Sequence, residues 1–440
     1  MKSDRVIPVA IVGGGASGTI LAAQLARRGI ASCIIDGSGR LGRGVAYSTT
    51  EPAHLLNVPA ERMSAIAGEP DHFASWFEAR GGDKAGFAQR RLFASYLGEL
   101  LDEAVGSGLV EMIHSTALSA SPRRDWHIGL DDGRALAARA LVLAIGNQEP
   151  GTLRPLVGAG PHYVGNPWGD QAATAVRDLA ETGGSALLIG TGLTMVDLVL
   201  SLEAAGHDGK ILAISRRGQV PRAHAGVEDS PADFEDLPTG DLRGMIRWLR
   251  RRAAVAGWRA AVDSLRPHSH PLWQSLSPEQ QKRFLRHARP WWDVHRHRIA
   301  PEVAQIISRL IAEGFLEIVA GRIISANVVE DGLEVTFRRR GSDTEQTGQF
   351  AYVFNCTGPL HSIERTRDPL LRSLLDAGQV RPDHLGIGIE VDDRSRAESS
   401  ERLWALGPLT KGRYWEIIAV PDIREQAAEV AEDIAQELAR

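Results

Sequence analysis

Apolar positions along the chain fall into short unbroken runs, separated by stretches in which apolar residues recur every three or four places. Val6 to Val12 is such a run, as expected of a strand buried on both faces of a parallel sheet. Thr19 to Arg28 then carries apolar residues at helical spacing until Gly29 ends it, and Ala31 to Ile35 is a second buried strand closing on Asp36. The opening of the chain therefore predicts strand, glycine turn, helix, strand and acid, a βαβ unit. The pattern begins again at Ser185 to Ile189, turns at Gly190-Thr191-Gly192, continues as a helix from Leu193 to Ala205 and ends in the strand Ile211 to Ile214. Each unit is followed by alternating strand pairs, turning at Asp131-Asp132-Gly133 and Glu330-Asp331-Gly332, and then by an apolar strand ending in glycine. Those endings are Leu141 to Gly146 and Tyr352 to Gly358. The quasi-repeat lacks the short fixed period of a solenoid or propeller. It predicts an α/β fold of two Rossmann-like dinucleotide-binding domains.

Between the second unit and its hairpin lies a different stretch, Asp241 to Ala300. It holds five of the ten tryptophans, and twelve arginines and one lysine against four acids. It predicts a helical, cationic insert, preceded by an acidic, proline-containing linker from Glu228 to Asp241. Over the whole 440 residues the 50 basic and 55 acidic side chains nearly balance, which gives no overall field for holding nucleic acid. Arginine clusters carry less weight here, because 45 of the 50 basic residues are arginine. The two cysteines, Cys33 and Cys356, stand alone in their segments, so no local disulfide, redox or zinc pair can form and a reducing cytoplasm is expected. Met1 to Ala26, with Lys2 and Arg5, imitates a secretion signal, but the glycine run Gly13-Gly14-Gly15 suits a tight turn better than a signal's helical centre. No window approaches the ~18 apolar residues of a membrane helix.

The glycine loops carry the chemistry. In a GxGxxG between strand and helix, the first glycine makes the turn, the second admits a phosphate and the third lets helix and strand touch. Gly13, Gly15 and Gly18 fill those places, with Gly14 and Ser17 between them, and the helix amides behind them favour an anion. Asp36 stands where a carboxylate would take the ribose hydroxyls of an adenosine. Ser17 is not a hydrolase nucleophile, since Thr19 replaces the closing glycine of a GxSxG elbow. In the second loop Gly190, Thr191, Gly192 and Thr194 take the corresponding places, with Met195 where the third glycine would be. That unit ends in Ser215-Arg216-Arg217-Gly218, two guanidinium groups where the first has an acid, which favours the 2′-phosphate of NADPH over NADH, with NADH still possible.

Several motifs together, Gly42-Arg43-Gly44-Val45-Ala46-Tyr47-Ser48, His54-Leu55-Leu56-Asn57-Val58-Pro59-Ala60 and Arg62-Met63-Ser64, resemble the YdhS-like family of FAD/NAD(P)-binding proteins. So do Gly190 to Asp197, Ser215 to Gly218, Asn355-Cys356-Thr357-Gly358-Pro359 and Trp415 to Pro421. The resemblance implies a layout related to N-hydroxylating flavin monooxygenases. A three-layer FAD domain would come from 1–160 and 345–440, an NAD(P) domain from 161–240 and 301–344, and the insert from 241–300. It further implies that Arg43, Tyr47 and Asn57 run toward the flavin, that Gly146 and Gly358 border the cradles, and that Gly407 and the helix after Val420-Pro421 close the flavin end. No catalytic residue is implied.

The remaining candidates read as structure. The insert's histidines, His268, His270, His287, His295 and His297, pair at i, i+2, on different faces of a helix, so no metal site is expected. Trp291 and Trp292 with Arg296 and Arg298 either line an anionic or aromatic pocket or, more simply, pack indoles inward and arginines outward. Cys356 reads as a core residue, which argues against a disulfide reductase, and the sequon Asn355-Cys356-Thr357 as accidental. The expected function is an FAD-dependent, NADPH-using monooxygenase that hydroxylates a small polar amine or carboxylate with molecular oxygen through a flavin peroxide. The alternatives are a flavin reductase or dehydrogenase without oxygenation, and a flavin-loaded sensing protein. Lack of an acid–base constellation suits this, since the cofactors carry the chemistry.

Overall fold

The computed structural model describes residues 6–226, 231–360 and 362–440, so Lys2 and Arg5 of the signal-like start and Glu228 at the head of the acidic linker lie outside the described residues. The first sheet is built from β1 (Ile7–Val12), β2 (Ser32–Ile35), β3 (Val110–Ile113), β4 (Ala117–Pro122), β5 (Trp126–Leu130) and β6 (Ala135–Leu143). The second holds β7 (Tyr163–Val164), β8 (Ala186–Ile189), β9 (Ile211–Ser215), β10 (Leu316–Val329), β11 (Gly332–Arg339), β12 (Glu345–Phe350) and β13 (Tyr352–Asn355). The chain then returns to the first sheet as β14 (Leu403–Ala405), parallel to β6. The orders are β3-β2-β1-β6-β5-β4 and β12-β11-β10-β9-β8-β13-β7.

In each sheet one long strand serves two partners. The C-terminal half of β6 pairs in parallel with β1, Val9 opposite Ala140 and Val12 opposite Leu143, while its first half pairs antiparallel with β5. Likewise β10 runs parallel to β9 through Ala320 and then antiparallel to β11 from Gly321 onward. The apolar runs are strands because both their faces are covered. On β1, Val9 and Ile11 enter the core under α1 (Ala16–Arg27), α2 (Arg90–Gly106) and the C-terminal helix, and Ala10 and Val12 enter a second core on the far face. Helices, sheet and an antiparallel layer make the three layers expected of the first domain. In the second sheet α3 (Leu193–Ala204) packs over β8 through Met195, Val196 and Val199, all essentially inaccessible.

The expected domain limits need two corrections. β12 and β13 lie in the second sheet, not the first, because Leu333 to Arg338 of β11 register against Phe350 to Glu345 and Tyr352 to Asn355 pair with β8. The first crossing also comes earlier than 160, since Leu156 and Ala159 are buried with Tyr163 and Leu187 in the second lobe's core. The insert is helical, with α4 (Leu242–Asp263), α5 (Ser269–Ser275), α6 (Pro278–Arg283) and α7 (Arg289–Arg296); α4 breaks at Gly257, whose φ is +79°. It docks on the first lobe as well as on its parent, where the Arg222 amide donates to the Val294 carbonyl and the Arg222 carbonyl accepts the Ile299 amide. Trp273 stacks on Trp415 with ring centroids 4.9 Å apart and donates its indole N–H to the Gly412 carbonyl at 2.9 Å, just ahead of α8 (Val420–Leu438).

Candidate functional site

Both glycine turns are forced by the same collision. Gly13 has φ +104°, and a Cβ there would stand 2.4 Å from the carbonyl oxygen of Ala144, just past the end of β6. Gly190 has φ +121°, and its Cβ would stand 2.1 Å from the carbonyl oxygen of Cys356, just past the end of β13. In each lobe the loop after the first strand of the unit is thus pressed against the last strand, and only glycine fits. Gly18 is equally constrained, its Cβ position lying 2.0 Å from the Gly13 carbonyl oxygen, whereas Met195 in the equivalent place belongs to the second core. Helices α1 and α3 start at Gly15 and Gly192 with no side chain capping either end, which leaves their first amides to solvent or an anion. Around Gly192 a Cβ would meet nothing within 4 Å.

The first cradle gathers the expected residues in part. Asp36 does not stand free: one carboxylate oxygen accepts the Gly14 amide at 2.6 Å and the other the Ser38 amide at 2.7 Å and its hydroxyl. The acid thereby fastens the end of β2 to the glycine loop and keeps lone pairs for one further donor. Gly407, with φ +63°, lies beside the same loop, its Cβ position 3.1 Å from the Ser17 hydroxyl, and its amide donates to Gln426 of α8 at 2.8 Å. Gly44 crosses Gly15 at 3.3 Å from that residue's Cβ position, so the segment after Gly42 starts on the first cradle. Arg43 is exposed and Gly146 half-buried with φ +67°. Tyr47 packs its ring on Phe93 at 4.8 Å, and burial pushes its hydroxyl up to about 12.

That segment ends on the second lobe. His54 makes a 2.8 Å hydrogen bond through Nε2 with the Asp197 carbonyl on α3, and the Asn57 carbonyl accepts from His224 Nε2 at 3.0 Å. Beside them Arg90 of α2 grips the Asp197 carboxylate with two nitrogens, at 2.9 and 2.8 Å, and donates to the Leu55 carbonyl. The pair is buried, at 10% and 7% side-chain exposure. Sequence reading assigned no role to Arg90, and it placed His54 and Asp197 only within motifs. One of two adjacent arginines opening an amphipathic helix gives no signal of its partner 107 residues away.

At the second cradle the Thr191 hydroxyl is taken up by Ser215 and the Gln219 carbonyl, and Ser215 accepts the Gly218 amide, so these two side chains shape the loop. Thr194 is half-buried on the first turn of α3, and Gly358, with φ +85°, follows β13. Arg216 is exposed, and Arg217 lies with its guanidinium carbon 5.8 Å from the ring centre of Trp291. The expected grouping of Trp291, Trp292, Arg296 and Arg298 is dispersed. Arg298 is buried on Asp263 with two bonds of 2.9 Å, and Trp292 donates to Glu416 at 2.7 Å. Arg296 also lies 3.3 Å from Glu416, turned inward rather than solvated.

Where α7 and the region before α5 meet residues 411–422, buried groups of both signs come together, with Arg296 paired to Glu416. Burial raises the Asp293 and Asp422 carboxyls and lowers Arg266 to about 10. Lys411, which donates to the Asn147 side chain at 2.9 Å, falls to about 8 through burial and then the neighbouring Arg289. Polar atoms of His270, Arg296, Arg413, Trp415, Glu416 and Asp422 are buried there without a hydrogen bond. Among the described residues no group of three histidine, cysteine or acidic side chains is placed to hold a metal, and no helix is long and apolar enough to cross a membrane. Asn355 is fully buried and bonded to Gly151, out of reach of glycosylation.

Residues 10–148 match a protein family described as FAD-NAD(P)-binding. No curated protein matches the chain. Among solved structures the chain is similar to the reduced form of ornithine hydroxylase from Pseudomonas aeruginosa, with a TM-score of 0.68 at 16% identity, covering 99% of this chain and 100% of that one. It is similar to the ornithine N-hydroxylase of Kutzneria sp. 744 with reduced FAD, NADP+ and L-ornithine, at 0.67 and 17%, covering 98% and 100%. It is similar also to the bacillithiol disulfide reductase of Staphylococcus aureus, at 0.60 and 15%, covering 98% and 99%. The chain thus carries an FAD-NAD(P)-binding domain over residues 10–148 and folds, end to end, as these hydroxylases and reductases do.

Proposed function

We propose that this chain is an FAD-dependent, NADPH-using monooxygenase acting on a small polar amine or amino acid. The observation that carries the reading is the continuous link between two glycine cradles: the segment Gly42–Asn57 begins against Gly15 and ends against α3 and His224. Both cradles fit a dinucleotide, since each offers an uncapped helix end behind a glycine that tolerates no side chain. Gly13 to Gly18 and Asp36 hold the FAD adenylate in this reading. Arg43, Tyr47, Asn57, Gly146 and Gly407 border the path to its ring. Gly190 to Thr194 and Gly358 receive the second nucleotide, and Ser215, Arg216 and Arg217 its 2′-phosphate. Bound there, the pair supplies hydride transfer and oxygen activation.

The chain's own residues orient and exclude water. Arg90, Asp197 and His54 fix the second cradle relative to the segment leading from the first, and the insert's indoles cover residues 412–416 of the first lobe. The mixed charges of Arg296, Lys411, Glu416 and Asp422 suit a substrate with both cationic and anionic groups better than the carboxylate alone that a purely cationic insert would favour. Against disulfide reduction, Cys33 and Cys356 are buried in different sheets, and burial pushes the Cys356 thiol far up. The test is to measure NADPH oxidation, oxygen uptake and peroxide release by the yellow holoprotein while amines and amino acids are screened. Substrate-dependent oxygen uptake without equivalent peroxide supports hydroxylation. NADPH oxidation with no oxygen use identifies a reductase or dehydrogenase, and no oxidation at all leaves the sensing role.

A further inference from the structure

The second cradle is bordered by a residue that belongs neither to its sheet nor to its glycine loop. Trp291, on α7 of the insert, is 54% exposed, while the adjacent Trp292 is half-buried and donates to Glu416. Its ring faces Arg217, the last residue of the arginine pair that follows β9. Neither Arg216 nor Arg217 has a carboxylate partner among the described residues; Arg216 is exposed, and the half-buried Arg217 guanidinium lies against the indole. The next residue but one, Gln219, accepts the Thr191 hydroxyl through its backbone and so lies on the glycine loop; its side-chain carbonyl is buried without a donor. The orphaned Gln219 acceptor carries a desolvation cost that a ligand's donor would relieve, beside an indole and a guanidinium open to the same ligand.

We propose that Trp291 is the stacking platform for the adenine of the nucleotide held at this cradle, with Arg217 bridging the base and its 2′-phosphate. The inference rests on the reading of the second cradle as an NADPH site and adds the insert to it. An indole and a purine stack face to face without regard to the phosphate, whereas a guanidinium forks onto phosphate oxygens. The two contributions are therefore separable by ligand. A consequence is that the insert, anchored on the first lobe through Trp273 and Trp415, touches the nucleotide of the second.

Titration calorimetry of the FAD-loaded protein with 2′,5′-ADP and with 5′-ADP tests this. Trp291→Ala is expected to weaken both ligands by the same factor, about tenfold, and Trp291→Phe to restore most of the loss. Arg217→Ala is expected to weaken 2′,5′-ADP far more than 5′-ADP. Flavin content and melting temperature should stay unchanged in the Trp291 variants, because the ring is largely in solvent. Unaltered affinity for both ligands in Trp291→Ala, or a loss confined to 2′,5′-ADP, overturns the stacking role while leaving the NADPH reading intact. Failure of the unaltered protein to bind either ligand overturns the NADPH reading itself and this inference with it.

Discussion

Single residues here act mainly by what their atoms would collide with or leave unpaired. Gly13→Ala puts a methyl 2.4 Å from a backbone oxygen at φ +104°, so the loop must move away from β6, and the variant is expected to purify with little or no flavin absorbance. Removing one partner of the Arg90 and Asp197 pair strands a buried charge. Arg90→Ala or Asp197→Ala is therefore expected to cost about 3–5 kcal/mol, read as a large fall in melting temperature. Replacing both by apolar residues should cost less than either single change, and an additive loss would show that the charges do not act as a pair. Lys411 loses its proton early because burial and Arg289 disfavour the ammonium. Carbon-13 NMR of reductively methylated protein, which has only five lysines, should show one midpoint near pH 8. Since the folded state holds that proton less tightly than the unfolded chain, this group makes stability rise as pH goes from about 8 toward 10.5.

Elements gain their positions from contacts their own patterns do not specify. The glycine-loop helices α1 and α3 are apolar over most of their surface, which a sheet on one side and helices on the other explain. The insert is different, because α4 carries most of its arginines outward while Trp273 of α5 and Trp292 of α7 face the loop before α8. Trp273 is the anchor, 4% exposed between Trp415, Phe284 and the Gly412 carbonyl. Trp273→Ala should cost about 3–5 kcal/mol of local stability and release the insert before the sheets unfold. Trypsin, for which 241–300 offers ten arginines not followed by proline, would then cut there faster while flavin stays bound. Cleavage at the unaltered rate would mean that other contacts hold the insert.

At the scale of the whole molecule the two sheets are halves of one device, joined by Gly42–Asn57, by Arg90 and Asp197, and by the insert folded back from the second lobe to the first. Coenzyme binding belongs to this scale, because in the proposed reading an arginine pair at a strand end of one lobe reads the 2′-phosphate while a helix of the insert supports the base. Arg216→Ala and Arg217→Ala should each raise the KM for NADPH about tenfold and leave that for NADH nearly unchanged, and an equal effect on both would contradict the phosphate role. The two βαβ units, their glycine turns and the hairpins at Asp132 and Asp331 were all legible in the sequence. Such features are written in neighbouring residues: a strand covered on both faces must be apolar throughout, and a turn pressed on a backbone carbonyl must be glycine. What no local pattern could decide was which distant surfaces meet. β12 and β13 join the second sheet, Arg90 finds Asp197, Arg296 and Trp292 converge on Glu416, and Trp291 alone of its neighbours faces Arg217. Those partners lie tens to more than a hundred residues apart, and only closure of the tertiary fold brings their charges and rings within a few ångströms.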